Sequence, residues 1–286
     1  MKIAVIGSDG QLGTDLCKII DRSELVPLTI KDIDITDLPK SRDVLSKIKL
    51  DIIIITAAYN RVDDSEDNDI QAYKINSHGV KNMATIARDL DCVLVSISTD
   101  YVFNGEKKSP YKESDIPDPK TAYGISKLAG ELFIRYMHQK HFIVRTSGLY
   151  GTAGCLGKGG GNFVENVINK AKSEQKIKVV TDEIVSPTYA LDLAGKILDL
   201  IKTEKFGLYH ITNSGQCSWW EFATEIFKIT GQKIKVLKAL SSDFKAKAHR
   251  PKYSVLENDR LAKIGLKPLR AWSEALKAYI REKGGN

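Results

Sequence analysis

Residues 2–20 read KIAVIGSDGQLGTDLCKII. The apolar run Ile3 to Ile6 has the length of a buried strand, and it passes directly into a turn carrying Gly7, Gly10 and Gly13. Leu12, Leu16, Ile19 and Ile20 then recur at helical spacing. A strand, a glycine turn and a helix N-terminus in that order form a pyrophosphate site. Glycine lets the backbone approach the anion, and the free N–H groups of the first helical turn face it. The stretch therefore predicts dinucleotide binding and a parallel α/β fold built outward from this strand.

The next elements continue the pattern. Leu25 to Ile30 reads as a second strand, and Pro27 within it suits a sheet edge. No acidic side chain follows until Asp32, whereas Lys31 stands where a ribose 2′-phosphate would lie, so this position favours NADPH over NADH. Ile52 to Thr56 is a third strand, leading into Ala57-Ala58-Tyr59, where small residues let the backbone lie close to a cofactor. The acidic run Asp63, Asp64, Glu66, Asp67 and Asp69 reads as a solvated loop and helix start. Residues 70–90 follow as one helix with Ile75, Val80, Met83, Ile86 and Ala87 on its apolar side. Strand–helix alternation of this kind makes a Rossmann-type, doubly wound parallel sheet covered on both faces.

Beyond residue 150 the elements are shorter and mixed: a helix at 161–175, strands at 177–180, 208–212 and 236–240, and helices at 191–201, 219–227 and 272–280. Ser218 caps the second-last of these helices. The expected division is a dinucleotide-binding domain over 1–150 and a smaller α/β region over 151–286, with 176–202 free to return to the first domain. Trp219 and Trp220 have two readings, ligand-stacking residues or core or interface anchors, and the burial that large aromatics favour makes anchoring the stronger.

Composition narrows the function classes. With 42% hydrophobic and 28% charged residues, and no apolar run near 18 residues, the chain reads as soluble and cytoplasmic, with no membrane partner. Cys17, Cys92, Cys155 and Cys217 are scattered as reduced thiols are, and His138 and His141 have no acidic or thiol partner nearby in sequence, so no metal site is expected. The net charge of +7 is spread along the chain, with crowding between Lys228 and Lys252 and no nucleic-acid motif. It suits attraction of an anionic nucleotide better than RNA or DNA binding.

The reactive constellation lies in Val93–Glu131. A strand ends in Ser98-Thr99-Asp100, and a helix opens with Tyr123 and Lys127 four residues apart. Tyr-x-x-x-Lys also occurs at Tyr136/Lys140 and Tyr279/Lys283. In the helix after Ala122 the apolar stripe is Ile125, Leu128, Ala129, Leu132 and Phe133. Tyr123 and Lys127 fall opposite that stripe, and Tyr136 falls within it and reads as a core tyrosine. A free phenol titrates near 10, and a lysine one turn away favours the phenolate. Thr99 on the neighbouring strand can hydrogen-bond the reacting oxygen. The set points to proton transfer to a carbonyl or from an alcohol.

With GSDGQLG at 7–13, DITD at 34–37, AAYNRVDDSE at 57–66, STDYVFNG at 98–105, YGISKLAGE at 123–131, RTSGLYG at 145–151, GNFV at 161–164, SPTYALDLA at 186–194, SWWEFA at 218–223 and RPKYSVL at 250–256, the chain resembles the dTDP-4-dehydrorhamnose reductase family of extended short-chain dehydrogenase/reductases. The resemblance covers almost the whole length. It implies that Thr99, Tyr123 and Lys127 are the catalytic set and that NADPH, with NADH as the alternative, reduces C4 of a 4-keto-6-deoxy sugar on dTDP to give dTDP-L-rhamnose. It implies cofactor contacts from Gly7, Gly10, Gln11, Leu12, Asp34, Ile35, Ala57, Ala58, Tyr59, Asn76, Tyr123 and Lys127. It further implies that the sugar nucleotide meets Thr99, Val102, Phe103, Asn162 and Arg250, with Gly148 at the same wall. Parts of the family form homodimers, some with Mg²⁺, and this sequence carries no signal for either.

Two departures bear on the substrate. Where the family commonly carries a tryptophan that packs on the sugar, this chain has Gly148, a loss worth a few kcal/mol of binding unless another side chain fills in. The loop TAGCLGKGGG at 152–161 is also longer than is usual for the family and is expected to reshape the substrate mouth. It is not a P-loop, since Thr152 stands where its first glycine belongs and Gly159 where Ser or Thr should follow the lysine. Two other readings stay open: a sugar-nucleotide epimerase or dehydratase with tightly held NAD, and a regulatory protein resembling the methionine adenosyltransferase β subunit.

Overall fold

The computed structural model describes residues 1–154 and 159–284. Six strands form one parallel sheet: β1 (Ile3–Ile6), β2 (Leu25–Leu28), β3 (Ile52–Ile55), β4 (Val93–Thr99), β5 (His141–Thr146) and, from far along the chain, Gly207–His210. The spatial order is Gly207–His210, β5, β4, β3, β1, β2, so the winding reverses between β1 and β3 and leaves a crevice at their carboxyl ends. Pro27 sits in the edge strand, where its missing N–H breaks no ladder.

Alternation explains the layers. Ile3, Val5, Ile52 and Ile54 face one core with helix α1 (Gln11–Ile19), while Ala4, Ile6, Ile53 and Ile55 face the other. That second core takes α2 (Leu38–Ser46) and the helical run after β3. Strands buried on both sides need continuous apolar runs, which is why the central strands lack a polar period.

The run expected as one helix over 70–90 is three segments: α3 (Asp69–Tyr73), a π-helical stretch Lys74–Gly79, and α4 (Val80–Asp89). The π stretch turns Asn76 inward. Its amide donates to the Tyr59 carbonyl and accepts from the Tyr59 N–H, both at 2.9 Å, and it also donates to Ser126 Oγ at 3.0 Å.

Helix α5 (Ala122–Met137) departs most from its apolar pattern. Its buried side is Gly124, Ser126, Lys127, Gly130, Glu131 and Ile134, whereas Ile125, Leu132 and Tyr136 are exposed, Tyr136 by 89%. Close backbone approach is the reason. A Cβ on Gly124 would lie 2.3 Å from the Tyr101 carbonyl oxygen, and one on Gly130 would lie 2.3 Å from that of Asn76. Small residues mark the packed face here, and the expected core tyrosine Tyr136 is a surface residue. Tyr279 is the buried one, 1% exposed.

The remaining elements are β6 (Leu149–Tyr150), α6 (Phe163–Lys170), β7 (Lys176–Val180), β8 (Ile184–Val185), β9 (Thr188–Tyr189), α7 (Ala190–Ile201), β10 (the Gly207–His210 strand), β11 (Cys217–Ser218), α8 (Trp219–Thr230), β12 (Lys235–Ala239), α9 (Asp259–Lys263) and α10 (Trp272–Gly284). The chain crosses residue 150 more than once. Leu193, Ala194, Ile197 and Leu200 of α7 pack in the core of β1 and α1, and β10 extends the main sheet. By contrast β7 pairs with β12 in a separate core built around Tyr150, Tyr189, Phe222, Ile226 and Tyr279. No helix among the described residues is long and apolar enough to cross a membrane.

Candidate active site

At the carboxyl end of β1 the glycine turn is packed too tightly for side chains. A Cβ on Gly7 (φ +86°) would lie 2.7 Å from the Ala57 nitrogen, and one on Gly13 would lie 2.1 Å from the Gly7 carbonyl oxygen. Gly10 precedes α1 without a side-chain cap, so the first-turn N–H groups stay open to an anion. The groove they floor is lined by Gly7, Gly10, Gln11, Leu12, Asp34, Ile35, Ala57, Ala58 and Asn60, and it extends to Ile97 and Leu149. These donors and this cradle fit a dinucleotide.

Five expected cofactor residues are not part of the groove wall: Tyr123 and Lys127, which α5 carries, and Asn76, Tyr59 and Lys31. Asn76 is 1% exposed and spends its amide on Tyr59 and Ser126, so it braces the loop after β3 from behind. Tyr59 is 8% exposed and its hydroxyl donates to Asp64. Lys31 is exposed and absent from the groove wall, whose charged members are Asp9 and Asp34.

Thr99 ends β4, paired with Thr146 of β5. Its hydroxyl donates to Asp100 Oδ1 at 3.0 Å and accepts from the Tyr101 N–H at 3.2 Å. A hydroxyl has one proton, so with Asp100 ionised Thr99 meets a further oxygen only by releasing Asp100. Asp100 is 5% exposed and burial pushes its carboxyl up, against hydrogen bonds from Ser254, Ser147 and Thr99. A protonated Asp100 would free the Thr99 proton for a ligand.

Helix α5 brings the other two groups to this strand end. Its N-terminal Ala122 N–H donates to Glu66 Oε1 at 3.0 Å, and the Thr121 side chain caps it through Gly124. The Tyr123 ring meets Tyr101 edge-on at 5.7 Å. Lys127 Nζ donates to the Ile97 carbonyl at 2.6 Å, two residues before Thr99. Burial pulls the Lys127 ammonium down to about 8, and the Glu131 charge opposes that pull. Glu131 itself is paired with Arg145 through Nε at 2.8 Å and Nη2 at 2.6 Å, and accepts from Ser98 at 2.5 Å.

On the far side opens a cavity of about 1010 Å³ lined by Arg61, Tyr101, Phe163, Glu183, Trp219 and Arg250, among others. Arg250 Nη2 donates to Asp63 at 2.7 Å while Nη1 is buried with no partner among the described residues, a donor suited to an anion. Asp63 also accepts from the Ala248 N–H, and Asp67 pairs with Lys247. The acidic run is the solvated loop and helix start expected of it, with Glu66, Asp67 and Asp69 exposed, and it also straps residues 247–250 and the N-terminus of α5.

Val102 and Phe103, expected at the substrate, are 0% and 1% exposed, and Phe103 stacks on Tyr111 at 4.2 Å. Their apolar bulk anchors the turn after β4. Asn162 caps α6 and donates to the Gly151 carbonyl and to Tyr279, so it too is structural. Part of the 152–161 loop, with Cys155, Gly157 and Lys158, lies outside the described residues; Gly159 lines the cavity. Among the described residues there is no group of three or more His, Cys, Asp or Glu side chains that could hold a metal ion.

The two tryptophans separate. Trp220 Nε1 donates to the Val236 carbonyl at 3.1 Å with Lys238 over its ring, an anchor. Trp219 instead lines the cavity. Sequence reasoning also passed over Tyr101, Glu183 and Phe163. The capping box of Ser218 and Glu221 was the available signal for Trp219, because it fixes the first helical residue in place.

Residues 1–284 match the family model described as the RmlD substrate binding domain. The chain is 40% identical over 284 residues to the spore coat polysaccharide biosynthesis protein SpsK of Bacillus subtilis, covering 99% of this chain and 98% of that protein. It is 41% identical to a dTDP-4-dehydrorhamnose reductase of Bacillus anthracis solved in complex with NADP, with a TM-score of 0.94 and coverage of 99% and 100%. A dTDP-4-dehydrorhamnose reductase structure from Clostridium acetobutylicum is also 41% identical, with a TM-score of 0.93 and 98% of each chain covered.

Proposed function

The chain belongs to the RmlD substrate-binding-domain family, that of the dTDP-4-dehydrorhamnose reductases, and from this premise we propose that it reduces the 4-keto group of dTDP-4-dehydrorhamnose to give dTDP-L-rhamnose with NADPH. One observation supports the reading: the linings of the glycine groove and of the large cavity draw on neighbouring residues at the Thr99 end of β4. Ile97 lines the groove and Tyr101 the cavity, with Thr99 between them, and Asn60 and Arg61 divide in the same way.

The glycine turn and the 57–60 loop would hold the dinucleotide, which when bound would supply a hydride for C4. Tyr123 gives its phenolic proton to the C4 oxygen, so ketone, hydride and proton sum to the alcohol. Lys127 has three N–H donors; one is held by Ile97, and the others serve the nicotinamide ribose and favour the phenolate that Tyr123 becomes. Thr99 steadies the same oxygen once its proton leaves Asp100. Arg250, with one guanidinium nitrogen unpartnered among the described residues, takes the diphosphate. The reading includes a cytoplasmic enzyme acting on a nucleotide sugar.

The test is to incubate the purified chain with dTDP-4-dehydrorhamnose and either NADPH or NADH, following nicotinamide absorbance and the sugar product. Cofactor oxidation with dTDP-L-rhamnose formed is the expected result. No oxidation with either cofactor would overturn the proposal, and conversion of substrate without net oxidation would point to the epimerase alternative.

A further inference from the structure

Gly148 leaves a gap that the fold fills from elsewhere. It has φ +54°, and a Cβ built there would lie 3.1 Å from the Pro187 Cα and 3.5 Å from Cη2 of Trp219. The tip of the Trp219 indole therefore stands over the Gly148 backbone, and a large side chain at 148 would compete for the same volume. This is the working end of the sheet. Ser147, beside Gly148, donates to Asp100 at 2.8 Å, and Thr146 is the register partner of Thr99.

The indole is held in place. Trp219 is the first residue of α8, behind the reciprocal cap in which Ser218 Oγ accepts from the Glu221 N–H at 3.1 Å and Glu221 accepts from the Ser218 N–H at 2.7 Å. Phe163 packs against its ring at 4.5 Å, and Phe222 meets it edge-on at 6.1 Å. The ring remains half-buried and lines the cavity with Tyr101, whose own ring touches Tyr123. An aromatic side chain that is locked at its root, packed by neighbouring rings and open to a cavity beside a reacting phenol is a stacking platform.

We propose that Trp219 is a specificity-determining residue, the wall against which the hexose ring of the nucleotide sugar lies, standing over Gly148 from a different element of the fold. The proposal rests on the nucleotide-sugar reading above. It predicts that Trp219 senses the sugar more than the nucleotide, because its indole stands over Gly148, next to Ser147 and Thr146 at the Thr99 end of the sheet. Trp220, turned away and bound to Val236, is the internal control.

The experiment is a titration of the full chain with dTDP and with dTDP-L-rhamnose, followed by calorimetry and tryptophan fluorescence. Trp219→Ala should weaken dTDP-L-rhamnose about tenfold or more while leaving dTDP within about twofold, and should raise KM more than it lowers kcat. Trp219→Phe should recover most of the affinity but lose the ligand-dependent change in fluorescence, and Trp220→Phe should change neither affinity. Trp219→Leu, which keeps the packing against Phe163, decides the matter if the alanine variant does not fold. Equal weakening of both ligands, or of neither, in variants that fold would overturn the inference alone. A parent chain that binds neither ligand would overturn the nucleotide-sugar reading and the inference with it.

Discussion

The groove and the cavity are built in opposite ways. The groove wall comes from short loops that each follow one strand: 7–13 after β1, 34–35 beyond β2 and 57–60 after β3. The cavity draws on Arg61, Tyr101, Phe163, Glu183, Trp219 and Arg250, single residues from across the chain. A groove made of backbone and glycine can be read locally, because its requirement is space for an anion. A cavity made of side chains from six places exists only once two cores have docked and the strap at 63–67 has tied them.

Variants should separate the two halves, and the seam between them should be the most sensitive. Tyr123→Phe should lower kcat by about 10²- to 10⁴-fold with both KM values little changed, as expected for loss of one general acid, and steady-state kinetics would show it. Residual activity near that of the parent would mean another group supplies the proton.

Next comes the ion pair beneath the seam. Arg145 and Glu131 are 1% and 3% exposed, so Glu131→Gln strands a buried guanidinium and should cost about 3–5 kcal/mol in urea unfolding. The same change removes the charge that holds the Lys127 ammonium up. Lys127 titrates near 8 when folded against a usual 10.5, so between those values the unfolded chain holds the extra proton. Its contribution to stability then rises with pH through that window and is lost as pH falls through about 8. In the reaction the sign reverses: the useful ammonium is lost above about 8, so kcat/KM should fall there, and earlier in Glu131→Gln. A profile with no limb between pH 7 and 10 would remove Lys127 from its proposed role.

A contrasting pair tests the division itself. Asn76→Ala removes the brace on Tyr59, should cost about 1–3 kcal/mol, and should raise KM for the cofactor more than for the sugar nucleotide. Arg250→Ala should do the reverse, raising KM for the sugar nucleotide about tenfold while sparing the cofactor. Matching effects on both substrates would show that groove and cavity are one coupled unit. The smallest effect belongs to Lys31→Ala, outside the groove wall, which should shift KM for NADPH by no more than about twofold through long-range charge.

Helix α5 shows why pattern reading succeeded in one respect and failed in another. Tyr123 and Lys127 do lie opposite the apolar stripe, yet Ile125 and Leu132 of that stripe are exposed while Lys127 is buried and Tyr123 half-buried. Hydrophobic periodicity assumes that burial follows side-chain size. Gly124 and Gly130 break that assumption by letting carbonyl oxygens of neighbouring segments press on the helix. Val102, Phe103 and Asn162 failed differently: their motifs lie near the site, but their side chains hold it up from behind.

The sequence alone determined the parallel sheet, its edge strand at Pro27, the glycine groove and the order of the Thr99, Tyr123 and Lys127 elements. Each of these is set by interactions within a few residues: backbone sterics, strand burial and helical spacing. Tertiary structure decided which face of α5 is buried, that Asn76 is a brace, that the acidic run is a strap, and that Trp219 stands over Gly148. Those outcomes depend on which distant backbone arrives within van der Waals distance, and no local pattern encodes that.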